Sequence, residues 1–362
     1  MKIGIMTGGG DAPGLNSVIY GIVRSAKNLF TDCQILGYKF GYKGLLYNEY
    51  MELTKENTSG ILHRGGTILH SSNRDNLFAY PQKDKEGNTV FGDVSDIAIG
   101  NMRHNGVDVL MILGGDGTLT SARDFARKGV NIIGVPKTID NDLASTSTTF
   151  GFNTAVNIVT ENLGRLHTTA ESHHRVIVVE VMGRDAGWIA LHSGIAGSAD
   201  IILIPEFPYR IEKIVEKINQ REANGSLFTI VVVTEGARPE GGQVSVGKIV
   251  EDSPDPVRYG GIAAQVARDL EPHLDKEVRS VNLGHIQRGG EPCAYDRILS
   301  LRYAAKAVEL VAEKKYGHMV CLRGGEMDSV PLEEVIGQKH KFVLENDELM
   351  KVARGLGISF GI

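Results

Sequence analysis

Pro136-Lys137-Thr138-Ile139-Asp140-Asn141-Asp142 follows the apolar run Ile132-Ile133-Gly134-Val135, and that junction decides how the rest of the chain is read. The run reads as a short buried strand, ended by a proline that bars further ladder pairing. Just past it, two carboxylates two residues apart, with a threonine and a lysine, can take a proton and steady a phosphoryl group. The same residue types also make an ordinary Asn/Asp-rich turn with solvated acids. Company favours chemistry: Gly114-Gly115-Asp116-Gly117-Thr118 also follows an apolar run, residues 109–113.

Outward from this junction the pattern repeats. Ile3-Gly4-Ile5-Met6 reads as a strand that leaves through Thr7-Gly8-Gly9-Gly10-Asp11-Ala12-Pro13-Gly14. Leu15, Val18, Ile19, Ile22, Val23 and Ala26 then recur at helical spacing, with Asp11 as expected N-cap and Pro13 in the first turn. Glycines there let backbone approach a ligand, and free N–H groups at a helix start favour an anion. The loop lacks both the Walker A lysine spacing and the G-x-G-x-x-G pattern. Ile35-Leu36-Gly37 can be a second strand, after which Tyr42 either stacks on a nucleobase or covers a loop. Arg74 is a candidate phosphate contact, residues 80–92 look like a surface insertion, and residues 94–104 read as a helix.

Apolar strands alternating with helices imply a mostly parallel α/β sheet, in which ligands gather at the carboxyl ends of strands. Gly10, Asp116 and Asp140 each sit past such an end and should share one crevice. A second alternating block starts near Gly151, with a helix through Val156, Val159, Leu163 and Leu166 and strands at 176–181, 201–204 and 229–233. Its strand ends carry Met182-Gly183-Arg184 and Thr234-Glu235-Gly236; residues 239–261 read as a loop, and a helix at 295–312 follows Gly284-His285-Ile286-Gln287-Arg288.

With 362 residues the chain has room for two domains, and a net charge of −5 without basic tracts gives no footprint for nucleic acid or membrane. Cys33, Cys293 and Cys321 lack disulfide or zinc spacing, and the first residues are too short an apolar run for a signal peptide, which suits a cytoplasmic protein. Arg175, Arg184, Arg279 and Arg288 each border an apolar run. Their forks, with His285, suit a phosphorylated substrate. With Asp140 as base, Asp116 as a Mg²⁺ anchor and the glycine loop for further phosphates, the set points to phosphoryl transfer onto a sugar-phosphate hydroxyl.

Gly9-Gly10-Asp11-Ala12-Pro13-Gly14-Leu15-Asn16, Gly114-Gly115-Asp116-Gly117-Thr118, residues 136–142, Met182-Gly183-Arg184 and residues 284–290 together resemble, in order, the motifs of the 6-phosphofructokinase family. The resemblance spans nearly the whole chain. It implies two Rossmann-like three-layer domains with mostly parallel sheets and the active site between them: 1–151 plus 288–340 for the phosphoryl donor, 152–287 plus 341–362 for fructose 6-phosphate. It further implies that Asp140 takes the proton of the 1-hydroxyl, Asp142 positions it, and Thr138, Gly10 and Arg184 stabilise the transferring group. Gly10, Tyr42, Arg74, Gly115, Asp116, Gly117, Thr118 and Lys137 would face ATP, with Mg²⁺ on Asp116. Thr138, Asp140, Met182, Gly183, Arg184, Glu235, His285 and Arg288 would hold the sugar phosphate. By the same resemblance Arg175 and Arg279 reach a neighbouring subunit's site, in a tetramer or, alternatively, a dimer.

The donor signature is mixed. Pyrophosphate-using relatives of this type carry aspartate at the position of Gly117 and lysine at that of Lys137. An obstructing carboxylate excludes a nucleotide whereas an added lysine does not, so ATP is the expected donor, with pyrophosphate the alternative and a non-catalytic nucleotide-binding regulator a third reading. The family's nucleotide-phosphate arginine falls on Asn73, one residue before Arg74. Its effector site should hold basic residues where Tyr20, Ser226 and Leu227 stand, leaving Arg24, so regulation by ADP or phosphoenolpyruvate should be weak or absent.

Overall fold

In the computed structural model, which describes residues 1–250, 256–338 and 340–362, each apolar run becomes a strand and each periodic stretch a helix. Lys2–Thr7 (β1) leads to Leu15–Leu29 (α1), then come Gln34–Tyr38 (β2), Tyr42–Tyr47 (α2) and Tyr50–Glu52 (β3). The polar insertion is a hairpin of Tyr80–Lys83 (β4) and Thr89–Gly92 (β5), followed by Ser95–His104 (α3), Val109–Gly114 (β6), Asp116–Arg127 (α4) and Ile132–Pro136 (β7). Next are Phe152–His173 (α5), Val176–Val181 (β8), Trp188–Ala196 (α6), Ile201–Leu203 (β9), Ile211–Ala223 (α7) and Thr229–Thr234 (β10). Residues read as a loop instead form a hairpin, Val246–Ile249 (β11) with Val257–Tyr259 (β12), the loop's remaining residues 251–255 lying outside the described ones. Ile262–Leu270 (α8), Val278–Asn282 (β13), Ala294–Ala312 (α9), His318–Arg323 (β14), Glu326–Pro331 (β15), Leu332–Val335 (α10) and Glu348–Gly355 (α11) complete the order.

Two sheets result. The larger runs β15-β14-β7-β6-β1-β2-β3, parallel throughout except for its two antiparallel edges; the smaller, β13-β8-β10-β9, is wholly parallel. Parallel strands covered on both faces need apolar side chains in both directions, which is why these strands read as unbroken apolar runs. In β6, Val109, Met111 and Leu113 join one core with α1 and α9, while Leu110 and Ile112 join the opposite core with α4. In β8, Ile177, Val179 and Val181 pack towards α5, α6 and α11, and Val176 and Val178 towards α7 and α8. Both sheets are therefore the middle of a three-layer sandwich.

The chain passes between the sandwiches more than once, and close packing fixes the returns. α9 comes back to lie on α1, where a Cβ on Gly21 would stand 2.6 Å from that of Ala304, so glycine is needed for the helices to approach this closely. The residues after α10 then lead to α11, whose Met350 and Ala353, with Val343, Ile358 and Phe360 beside it, are buried in the second sandwich. The expected cap on α1 is corrected: Gly14, at φ +106°, is the N-cap, without a side-chain cap bond, and Asp11 lies upstream in the turn.

Candidate active site

Residues after β1, β6, β7 and β8 line one open cleft of about 570 Å³ between the sheets. Gly10, Gly115, Asp116, Gly117, Thr118, Lys137, Thr138, Asp140, Asp142, Arg184 and Arg288 all face it. From the β6 end comes the start of α4: Gly115 is its extended N-cap, so the first-turn amides of α4 open onto the cleft as an anion-binding terminus. A Cβ placed on Gly117 meets no atom within 4 Å, so this wall has room to spare. Across from it, Arg288 donates from Nη1 to the Asp11 carbonyl (2.9 Å), and a Cβ on Gly10 would come within 2.9 Å of that nitrogen; glycine lets the guanidinium lie against the β1 turn.

The β7 turn is held by its own polar side chains. Asp140 N–H donates to Thr138 Oγ1 (3.0 Å), Thr149 Oγ1 donates to the Thr138 carbonyl (2.7 Å), and Thr149 N–H donates to Asn141 Oδ1 (3.2 Å). Asn141 takes φ +53°, a left-handed turn that aims Asp140 and Asp142 into one space. Asp140 Oδ1 is buried and has no hydrogen-bond partner, an acceptor without a donor at the centre of the site. Burial, and next the neighbouring Asp142, push the Asp140 carboxyl up to about 6, against the pull of Arg288, Lys137 and Arg184. Burial also lifts Glu235, to about 7, helped by Asp140; Glu235 Oε1 accepts from the Arg184 N–H (3.3 Å). Lys137 is 3% exposed, and burial, then Arg288, brings its ammonium down to about 8. The cleft thus sets basic groups and helix amides around an acceptor carboxylate, which suits moving a proton from a hydroxyl as it attacks a phosphate.

Other expected residues fall elsewhere. Tyr42 touches the cleft, yet it is 4% exposed, donates its hydroxyl to the Thr118 carbonyl (2.7 Å) and stacks on Phe125; it is wall, not an open platform for a base. Asn73 lines the cleft where Arg74 does not. Met182, Gly183 and Glu235, at the same strand ends as Arg184, are not part of the cleft lining, and His285 is exposed outside it. Arg175 precedes β8 and Arg279 lies early in β13, at the strand ends opposite the cleft, both paired with Glu277.

Sequence reasoning missed four groups. Gln287 is fully buried, its Oε1 accepting from the Met182 N–H (3.2 Å), and the G-H-I-Q-R-G-G turn offered that signal. Asp75 lines the cleft with a buried, unpartnered Oδ2, and Asp185, next to Arg184, lines it too. His340 faces the cleft with Nδ1 3.2 Å from Asp142 Oδ2, a contact that raises it to about 8, and nothing local in the sequence marks it.

A phosphofructokinase family profile matches residues 2–311. ATP-dependent 6-phosphofructokinase 2 of Clostridium perfringens is 60% identical over 99% of this chain and 98% of its own, and ATP-dependent 6-phosphofructokinase of Chloroflexus aggregans is 48% identical over the same shares. The phosphofructokinase structure from Saccharomyces cerevisiae superposes at TM-score 0.78 with 29% identity, covering 92% of this chain and 45% of that longer one. The pyrophosphate-dependent phosphofructokinase of Nitrosospira multiformis superposes at TM-score 0.81 over 99% of this chain and 92% of its own at 19% identity, a likeness of fold.

Proposed function

The chain belongs to the phosphofructokinase family, and from that premise we infer that the cleft moves a phosphoryl group from ATP to a sugar phosphate, with Asp140 as the base. It is an ATP-dependent 6-phosphofructokinase, forming fructose 1,6-bisphosphate and ADP. The observation that carries the site reading is the Asp140 carboxylate: raised by burial, without a partner for Oδ1, and encircled by Arg184, Arg288 and Lys137.

Asp140 accepts the 1-hydroxyl proton while Asp142 positions it, the fixed β7 turn keeping both in line. Arg184, Thr138 and the Gly10 turn stabilise the charge spreading over the transferring phosphoryl group. Glu235, Met182 and Gly183 contact the sugar; His285 and Arg288 take its 6-phosphate. ATP phosphates lie against the first-turn amides of α4 and Lys137, with Tyr42 as the wall beneath; Arg74 stands further out. Asp116 suits Mg²⁺, an ion bound by one or two carboxylates together with substrate phosphates. Asp116 lines the cleft as the first residue of α4, beside the amides that would face those phosphates. When bound, the ion neutralises charge on the phosphates.

Residues 1–151 with 288–340 serve the donor, and 152–287 with 341–362 the sugar phosphate. Arg175 and Arg279, turned away from their own cleft, serve a neighbouring copy's, in a tetramer in preference to a dimer. No described helix is long and apolar enough to cross a membrane; the reaction runs where ATP and sugar phosphates are, in the cytoplasm. The open space at Gly117 favours a nucleotide over pyrophosphate, whereas Lys137 in the wall is the one feature shared with the alternative donor. Purified protein with fructose 6-phosphate and Mg²⁺ should release ADP with ATP. Faster turnover with pyrophosphate would overturn the donor, and turnover with neither would favour a nucleotide-binding regulator.

A further inference from the structure

Residues 340–343 run along the rim of the cleft and bond to both sandwiches within four residues. On one side, Lys341 N–H donates to the Asp142 carbonyl (2.8 Å), and Lys341 Nζ donates to Asn141 Oδ1 (2.9 Å), the Ser147 carbonyl (2.8 Å) and the Thr146 carbonyl (3.3 Å). His340 meets the Asp142 carboxylate on the same side. On the other side, the Lys341 carbonyl accepts from Trp188 Nε1 (2.6 Å), its ammonium stands 5.5 Å from that ring's centroid, and Val343 N–H donates to Glu206 Oε1 (2.9 Å). Glu206 also accepts from the Gly187 N–H at the start of α6, and Val343 is buried in the second core.

We propose that His340 and Lys341 are positioning residues for phosphoryl transfer, His340 acting through Asp142 and Lys341 through Asn141, which together tie the catalytic turn to the second sandwich. Three observations converge. Asn141 sits in the left-handed region, which asparagine tolerates better than most residues with a side chain, and its amide oxygen is clamped between Thr149 N–H and the Lys341 ammonium. The lysine is half-buried, and its ammonium donates to three oxygens of this turn and its return while facing the Trp188 ring, where an apolar side chain would have filled the space without desolvating a charge. Finally, the carbonyl of the same residue is held by α6, so a shift of the second sandwich is carried to Asn141 and Asp142 through one residue. The orientation of the turn then depends on where the sugar-binding half stands, beyond what the β7 strand alone dictates.

The inference rests on residues 136–142 being the catalytic turn, which wild-type turnover with ATP checks separately; the variants check the tie. His340 is exposed, so His340→Ala should leave melting unchanged while lowering kcat about tenfold with both KM values within about twofold, the signature of a lost transition-state alignment. In an Asp142→Asn background the same change should cost nothing further, because its route is already cut. Wild-type kcat in the single variant, or full additivity in the double, overturns the role of His340. Lys341→Met should lower kcat and alter the emission of Trp188, the chain's single tryptophan, whereas Lys341→Arg should restore part of both. A folded Lys341→Met enzyme with wild-type kcat overturns the role of Lys341; if that variant does not fold, loss of kcat in Lys341→Arg with KM unchanged supports the role and wild-type kcat there overturns it.

Discussion

Gly117→Asp separates room for a nucleotide from stability of the fold. The position is in the first turn of α4, on the cleft wall, and a Cβ there meets nothing within 4 Å, so the new carboxylate extends into space a nucleotide would occupy. A unit charge roughly 5 Å from a phosphate oxygen at an effective dielectric of about 20 costs about 3 kcal/mol. Allowing for solvent and counter-ion screening of about half, kcat/KM for ATP should fall between about tenfold and a few hundredfold. The fold should not suffer: glycine is a poor helix residue, and an acid in a first turn gains about 0.3–1 kcal/mol from the helix dipole. The assay is steady-state kinetics with ATP and with pyrophosphate, alongside thermal melting. ATP kinetics unchanged in a folded variant would refute the argument that an unobstructed Gly117 admits the nucleotide.

Asp140→Asn should cut kcat by about a hundredfold to ten-thousandfold with KM for fructose 6-phosphate little changed, measured by ADP release; near-normal turnover would remove Asp140 as the base. The same variant tests linkage. The carboxyl is raised on folding, so its contribution to stability is complete below about pH 4 and is lost as pH rises through about 6. Asparagine escapes that loss, and the variant should gain up to about 3 kcal/mol over wild type at pH 8 but nothing at pH 4, read by denaturant titration. In wild type, kcat/KM should fall about tenfold per pH unit below about pH 6, as the base takes up its proton; a profile flat to pH 4.5 would contradict the raised carboxyl. Phosphoenolpyruvate should leave fructose 6-phosphate saturation hyperbolic: Arg24 is engaged by the Tyr20 ring, 5.1 Å from its centroid, and by the Lys55 carbonyl, and Leu227 stands exposed where a basic residue would be needed. A sigmoidal shift would refute this.

What the sequence made legible has a physical reason. β1, β6, β7, β8 and β10 are covered on both faces, so their apolar runs are unbroken, and the glycines and acids at their ends mark where ligands gather. Less was written where partners come from afar. Tyr42 reads as a loop aromatic until Phe125 and the Thr118 carbonyl claim it. The β11–β12 hairpin sits in Gly- and charge-rich sequence whose strands are exposed or partly so, and therefore carries no apolar alternation. His340 reaches Asp142 across about two hundred residues of chain, a meeting set by how the second sandwich closes its core. Local spacing states what each segment prefers; topology states whom it meets.

The returns of α9 and α11 bear on how the protein acquires its shape during synthesis. The larger sheet places β14 beside β7, and the second core takes Met350, Ala353 and Phe360, so each sandwich contains pieces made long after its first strands. The first cannot bury its apolar surface as a finished unit until the intervening block and the strands after α9 have been made, and the second waits for the last residues of all. Incomplete intermediates therefore present half-covered parallel strands, the species most prone to pair with one another. The same interleaving should make the protein unfold in one concerted event, with both cores lost together.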